Sequence, residues 1–296
     1  MGVIVKLYEY IQDLVAERPE VFLAFALVLC VQLRILGTRT PTYESQSFKN
    51  STLAADIQEA GAAVDDEVAD ADHSEEPEEH VPYQPIRYTE QEMVERSRAH
   101  YTLMNNRRSV RDFSTEDVPR EVIDNIIRVG GTGPSGAHTE PWTYVVVRSA
   151  EKKREIREII EAEEKVNYAR RMGEKWVDDL SHIGTTWSKP YLEECPYIII
   201  VFKSAHSKNP DGSKKIHYYH EISSSIGVGF LLGAVQNAGL CSVTTTPMNA
   251  GPKLRAVCGR PESEKVLVLL PVGYPRSDAT VPDLHRKPLN DIMVVV

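Results

Sequence analysis

Three guanidiniums and a hydroxyl fall within five residues at Arg107-Arg108-Ser109-Val110-Arg111. Guanidinium forks match the paired oxygens of a phosphate, so such a run offers a site for an anion. The same run stands where a predicted helix ends, and cations also answer the negative end of a helix dipole. On spacing alone both readings stand. Gly131-Thr132-Gly133-Pro134-Ser135-Gly136 then spells Gly-x-Gly-x-x-Gly. A dinucleotide-binding turn needs a strand before that signature and a helix after it, and here the order is reversed. What remains is a loop whose glycines leave backbone amides open to a ligand, with the Ser135 hydroxyl beside them. His217 and His220 share an i, i+3 spacing. No third ligand follows at a metal-binding interval, so aromatic and imidazole packing is the better account. Ser135 lacks the Gly-x-Ser-x-Gly elbow of a hydrolase.

These groups need a frame to hold them. Thr89-Glu90-Gln91-Glu92 has the form of a capping box and predicts a helix from there towards Asn105. Pro119 opens a second helix, with Val122, Ile123, Ile126 and Ile127 on one face and Gly130-Gly131 at its end. Further helices are expected over Glu151 to Asp179 and Ile222 to Gly239. The latter is small and apolar nearly all round, which suits a core or a subunit interface. Strand-like runs occupy Thr143 to Val147, Tyr197 to Phe202, Cys241 to Thr245 and Lys265 to Leu270, so strands and helices alternate.

With 296 residues and 42 % hydrophobic content, the chain can bury a sizeable core without disulfides. Its formal charge of -9 is uneven: eleven carboxylates and no Lys or Arg lie between Asp56 and Glu79, and the remainder is near neutral. Nothing here resembles the basic face that nucleic acid requires. Cys30, Cys195, Cys241 and Cys258 show no C-x-x-C pair and no disulfide framework, and read as free thiols of a reducing compartment. Val21 to Leu36 would reach about 24 Å as a helix against a hydrocarbon core of roughly 30 Å, and Arg34 near one end can snorkel. The expected division is a preamble over 1–20, a single-pass transmembrane anchor over 21–37, an acidic disordered linker over 38–86 and a globular domain over 87–296. Arg34 at the anchor's C-terminal end, with Arg39 and Lys49 beyond it, against Lys6 and Arg18 before it, lean the globular domain towards the cytosol.

Taken together, several blocks resemble the iodotyrosine deiodinases of the nitroreductase flavoprotein superfamily. They are RRSVR at Arg107 to Arg111, PSGAHTEPW at Pro134 to Trp142, NYARRMG at Asn167 to Gly173, TTTPMNAGP at Thr244 to Pro252 and LPVGYP at Leu270 to Pro275. The resemblance implies an α+β sandwich, a nitroreductase-like homodimer with FMN at the subunit interface. Arg107, Arg108, Ser109, Val110 and Arg111 fall on the positions that hold the flavin phosphate and ring edge, and Arg286 falls on a further phosphate contact. Pro134 and Ser135 border the flavin. Thr244, Thr245 and Thr246 match the stretch beneath the ring, with the Thr246 hydroxyl towards flavin N5 in a catalytic role. For substrate, Glu164, Tyr168 and Lys189 fall on the grip for the amino-acid part of a halotyrosine, and the Ala137 N–H faces the phenolate. Glu164 and Tyr168 lie at i, i+4, one helix face, and a carboxylate with an ammonium complements a zwitterion. On its own, EIIEAEEK is an ordinary charged helix face.

The implied activity is reductive dehalogenation of mono- and diiodotyrosine to tyrosine and iodide. No nicotinamide fingerprint is present, so the electrons are expected from NADPH through a separate reductase. Alternatives are an NAD(P)H-dependent nitroreductase or quinone reductase on the same fold, and a membrane-tethered binding protein without turnover.

Overall fold

The computed structural model of the chain describes residues 79–296. The preamble, the expected anchor and nearly all of the linker lie outside them. Among the described residues no helix is long and apolar enough to cross a membrane.

A mixed order of helices and strands follows from the pattern. Helix α1 spans Glu90–Asn105 and α2 spans Arg120–Gly130. At the start of α1 the capping box is complete: Thr89 accepts from the Glu92 N–H, and the Glu92 side chain accepts from the Thr89 N–H. Strand β1 is Trp142–Val147, helix α3 Ala150–Val166, a π turn Asn167–Arg171, α4 Glu174–Ser181 and α5 Tyr191–Glu194. Then come β2 at Tyr197–Ser204, a hairpin of β3 at His206–Lys208 and β4 at Lys214–Ile216, and α6 at His220–Asn237. The chain continues through β5 at Cys241–Ser242, α7 at Gly251–Val257 and β6 at Glu264–Gly273.

Four strands form an antiparallel sheet in the order β1-β2-β6-β5. Strand β2 is its centre, and its apolar run is continuous because both faces are covered. Alternation along the strand sorts its residues between two cores. Ile198, Ile200 and Phe202 pack with Ile156, Ile160, Leu192 and Leu254 from α3, α5 and α7. Tyr197, Ile199 and Val201 pack with Ile123, Ile126, Val228 and Leu231 from α2 and α6. Each such fully buried aliphatic side chain contributes about 1.5–3 kcal/mol. The result is the expected α+β sandwich of a sheet between helical layers.

Three expectations need correction. Glu151 to Asp179 is not one helix. At Asn167 it widens into the π turn, Met172 turns extended, and α4 starts after Gly173. Strand β5 stops at Ser242 rather than Thr245, because the next position along β6 is Pro271, which has no N–H for the ladder. Thr245 regains the sheet by a bridge to Leu269. The hairpin of β3 and β4 was not anticipated, although Asn209-Pro210-Asp211-Gly212 is a turn sequence and Gly212 takes φ 88.

Candidate active site

Helix α1 is capped by Asn106 and has no basic residue in its last turn, so the arginine run lies beyond the helix as extended chain. Ser109 bridges Ser242 in parallel, and the Val110 N–H donates to the Ser242 carbonyl at 3.2 Å while its side chain is buried. This pins the run to the edge of the sheet. Arg107, Arg108, Ser109 and Arg111 then line a cavity of about 300 Å³ together with Arg286 from the C-terminal segment. Arg286 Nη1 donates to the Asn105 carbonyl at 2.9 Å and Nη2 to the Arg107 carbonyl at 2.7 Å. Arg108 donates to the Pro282 carbonyl. No carboxylate among the described residues pairs with Arg107, Arg108, Arg111 or Arg286. Burial, reinforced by the guanidiniums of Arg286 and Arg108, lowers the Arg107 pKa. Crowded like charges without a counter-ion fit a phosphate, whose charge would offset their mutual repulsion.

Arg111 also lines a second cavity of about 240 Å³, together with Lys189 and Tyr191. Lys189 faces Glu164. Both are almost fully buried, at 4 % and 8 % exposure, and Nζ lies 3.9 Å from Oε2. Lys189 further donates to the Thr186 carbonyl, and its N–H reaches Glu161 Oε1 at 2.6 Å. Burial lowers the Lys189 pKa, opposed by Glu164 and aided by Arg111. The Tyr168 ring lies 5.9 Å from the ammonium and meets Trp176 edge-on, at 5.1 Å between centroids and 71°. Its hydroxyl is buried without a hydrogen-bond partner among the described residues. Burial, then the Glu164 charge, raises its pKa. Glu164, Tyr168 and Lys189 are therefore brought together as a buried acid, phenol and ammonium around one point.

The threonines adjoin this clamp. Tyr191 shares a hydrogen bond with Thr245, and burial pushes its pKa up to about 12. Thr244 and Thr246 are exposed, and the turn beyond them returns to the clamp, where Asn167 Nδ2 donates to the Met248 carbonyl at 3.4 Å.

The glycine loop does not join them within the chain. Its hydrogen bonds run to α6, where the Gly136 N–H donates to Ser223 Oγ at 3.4 Å, and within itself, where Ser135 Oγ accepts from the Glu140 N–H at 3.0 Å. Ala137, His138 and Glu140 all take positive φ, at 49°, 52° and 45°. Non-glycine residues rarely concentrate there, and such strain gathers at functional turns. Ala137 is exposed, and its N–H makes no hydrogen bond among the described residues. Pro134 is likewise exposed. Gly136 fits a tight place, since a Cβ there would crowd the Tyr218 carbonyl and the Tyr219 ring, each at 3.0 Å. The loop follows α2 and precedes β1, the wrong order for a dinucleotide turn. His217 is held by the Ser204 carbonyl and Ser207 Oγ, each at 2.9 Å, rather than turned towards a ligand.

The nitroreductase family signature matches residues 104–274. An iodotyrosine deiodinase of Danio rerio is 52 % identical over 290 residues, 92 % of this chain and 97 % of its own length. The chain belongs to the iodotyrosine deiodinases of the nitroreductase family. Human iodotyrosine deiodinase 1 is 59 % identical over 223 residues, covering 75 % of this chain and 77 % of its own. Among solved structures, oxidized iodotyrosine deiodinase bound to FMN and 3-iodo-L-tyrosine matches with a TM-score of 0.56 and 30 % identity. That match covers 64 % of this chain and 96 % of the other.

Around the expected site of a deiodinase, the sequence reading passed over Asn167, Tyr191, Trp176, Met248 and Asn249. One signal was available. Asn is poorly suited to a helix interior unless its side chain is used, and Asn167 stands inside the helix expected over Glu151 to Asp179, between Glu164 and Tyr168. Trp176 and Tyr191 carry no local signal, because their places depend on how α4 and α5 fold back over α3.

Proposed function

We propose that this chain carries out FMN-dependent reductive deiodination of mono- and diiodotyrosine, yielding tyrosine and iodide. The observation that carries the reading is the pairing, across Arg111, of an uncompensated arginine cavity with the buried Glu164–Lys189 clamp. Arg107, Arg108, Ser109, Arg111 and Arg286 would hold the phosphate and ring edge of FMN. When bound, reduced FMN supplies the two electrons that, with a proton, replace the carbon–iodine bond by carbon–hydrogen. Glu164 grips the substrate ammonium and Lys189 its carboxylate, while Tyr168 closes the grip with the hydroxyl left free. Ala137 donates its N–H to the phenolate, so negative charge on that oxygen is stabilised. Thr246 would offer its hydroxyl to flavin N5, and Thr244, Thr245, Pro134, Ser135 and the Val110 backbone would border the ring. Electrons come from NADPH through a separate reductase.

Ala137, Pro134 and Ser135 sit apart from the clamp in one protomer, and a homodimer joins the two halves. Helix α6, beside that loop, leaves Ile222, Ile226 and Phe230 exposed at 42 %, 37 % and 40 %, one apolar stripe at i, i+4, i+8. An apolar groove of about 610 Å³ runs along the same helix, and α1 buries no residue at all. These faces suit a second copy of the chain. A Phe230→Glu variant is therefore expected to sediment as a monomer and to lose FMN; an intact, yellow dimer would remove α6 from the interface. Segment 21–37 tethers the enzyme to a membrane, with 38–86 as linker and 87–296 as a catalytic domain on the cytosolic side.

Anaerobic mixing of the reduced protein with 3-iodotyrosine tests the activity. One iodide and one tyrosine per flavin are expected. Binding without iodide would make the chain a binding protein, and turnover of nitro compounds or quinones with NADPH instead would make it a nitroreductase.

A further inference from the structure

Asn167 is 1 % exposed, and both ends of its amide are committed to the site. Nδ2 donates to Glu164 Oε1 at 3.1 Å and to the Met248 carbonyl at 3.4 Å. Oδ1 accepts from Asn249 Nδ2 at 3.2 Å and from Arg171 Nη1 at 3.1 Å. A carboxylate and a carbonyl only accept, and a guanidinium only donates, so these partners determine which way round the amide lies. The backbone changes at the same residue. The π turn begins there, with the Met172 N–H donating to the Asn167 carbonyl at 2.9 Å, and such widenings often mark functional positions. Across from it, Asn249 holds φ 66, a conformation suited to Asn, Asp or Gly.

With Oε1 engaged by Asn167, only Oε2 of Glu164 is turned towards Lys189, at 3.9 Å. That separation is long for an ion pair between two groups so buried. A carboxylate free to rotate would close on the ammonium, and a zwitterion would then have to break the pair to enter. We propose that Asn167 is a positioning residue that holds the Glu164 carboxylate open for the substrate ammonium by tying it to the Met248–Asn249 turn. Clamp and threonine turn then move as one unit. The inference rests on the reading of Glu164 as a substrate ligand.

Asn167→Asp, made in the full-length protein with FMN bound, separates positioning from packing. It keeps the volume and the acceptor facing Asn249 and Arg171, but sets a second carboxyl against Glu164. At about pH 8 the variant is expected to bind 3-iodotyrosine at least about tenfold more weakly, the loss of one charge-assisted hydrogen bond. Towards about pH 5 the two carboxyls come to share a proton, the donor is restored, and much of the loss is recovered. Binding of 2-iodophenol, which has no zwitterion, should match wild type. Asn249→Asp keeps the left-handed backbone, removes the second tie, and should weaken iodotyrosine binding by a smaller factor. A merely structural role predicts a loss shared by both ligands and independent of pH. That result, or wild-type iodotyrosine binding by Asn167→Asp, would overturn the proposal. If Asn167→Asp fails to fold, unchanged binding by Asn249→Asp overturns it instead. Glu164→Gln is the control: normal iodotyrosine binding there removes the clamp itself, whereas a loss there with none in Asn167→Asp removes only the role of Asn167.

Discussion

Arg111 divides two regions that treat positive charge in opposite ways. On one side, Arg108 and Arg286 are held in place by backbone carbonyls of Pro282, Asn105 and Arg107, which orient a guanidinium without neutralising it, and Arg107 stands beside them with no carboxylate partner among the described residues. On the other, the Lys189 ammonium is buried and faces a carboxylate. A bare cluster gains from an anion at once and has nothing to give up when the anion binds. A buried pair has already offset part of its own desolvation, so a ligand gains only the difference. The first arrangement suits a resident group with a dianionic phosphate. The second suits a zwitterion that enters and leaves in each turnover.

The largest effect is expected where compensation is least. Arg107→Ala with Arg286→Ala removes two charge-assisted contacts, each worth about 1.5–3 kcal/mol, and FMN affinity should fall at least about a hundredfold. Fluorescence of FMN released at equilibrium measures this. A double variant that keeps its flavin at wild-type affinity would show that the cluster is not the phosphate site, and the contrast between the two regions would lose its meaning.

A smaller change is expected across Arg111. Lys189→Met and Glu164→Gln should each weaken iodotyrosine binding by about 1.5–3 kcal/mol and leave FMN affinity unchanged. The pH dependence sharpens this. Burial lowers the Lys189 pKa, so its ammonium is present below that value and is lost, as pH rises, earlier than from an exposed lysine. The affinity ratio of wild type to Lys189→Met, in which the titrations of the ligand cancel, should therefore fall towards one as pH rises through that range. A ratio constant up to the ordinary lysine range would mean that the ammonium is not desolvated in the working enzyme.

Much of this contrast was legible in the residue order, for reasons that differ between its halves. The arginine run is local, so its chemistry could be read directly; what spacing could not exclude was the helix end, settled by Asn106 capping α1 ahead of every arginine. Arg286 could be joined to the run only through resemblance, since far-separated segments meet there. The β2 run, the α2 face and the Thr89 capping box were plain because periodicity and caps are local signals. Pro271 cut β5 short from the neighbouring strand, which no reading of Cys241 to Thr245 by itself reveals. The break of α3 at Asn167 was hidden for a related reason. Its cause is a side chain reaching the turn at Met248, and helical spacing through EEKVNYARR gives no sign of that partner.

The smallest expected effect belongs to Thr246, which opens the turn that Asn167 ties to the clamp through the Met248 carbonyl. Its carbonyl accepts from the Met248 N–H at 3.0 Å, while its hydroxyl makes no hydrogen bond among the described residues and the residue is exposed. Threonine is a good strand former, so packing alone would explain a Thr-Thr-Thr run. That explanation fits Thr245, which bridges Leu269 and meets Tyr191. It fits Thr246 poorly, because the ladder has ended and Pro247 follows. If the hydroxyl serves flavin N5, Thr246→Val keeps the shape, loses the hydrogen bond and should slow iodide release by about two- to tenfold, the value of one net hydrogen bond. Thr246→Ala should then behave like Val rather than worse, and both should retain FMN and iodotyrosine affinity. A reductive titration with a bound halotyrosine analogue adds a second readout, since a bond made mainly to a partly reduced flavin favours one-electron stages and its loss merges them into one two-electron step. Wild-type rates and unchanged staging in Thr246→Val would make Thr246 a turn residue, and would leave the clamp and the arginine cavity as the whole of the protein's contribution from this side of the site.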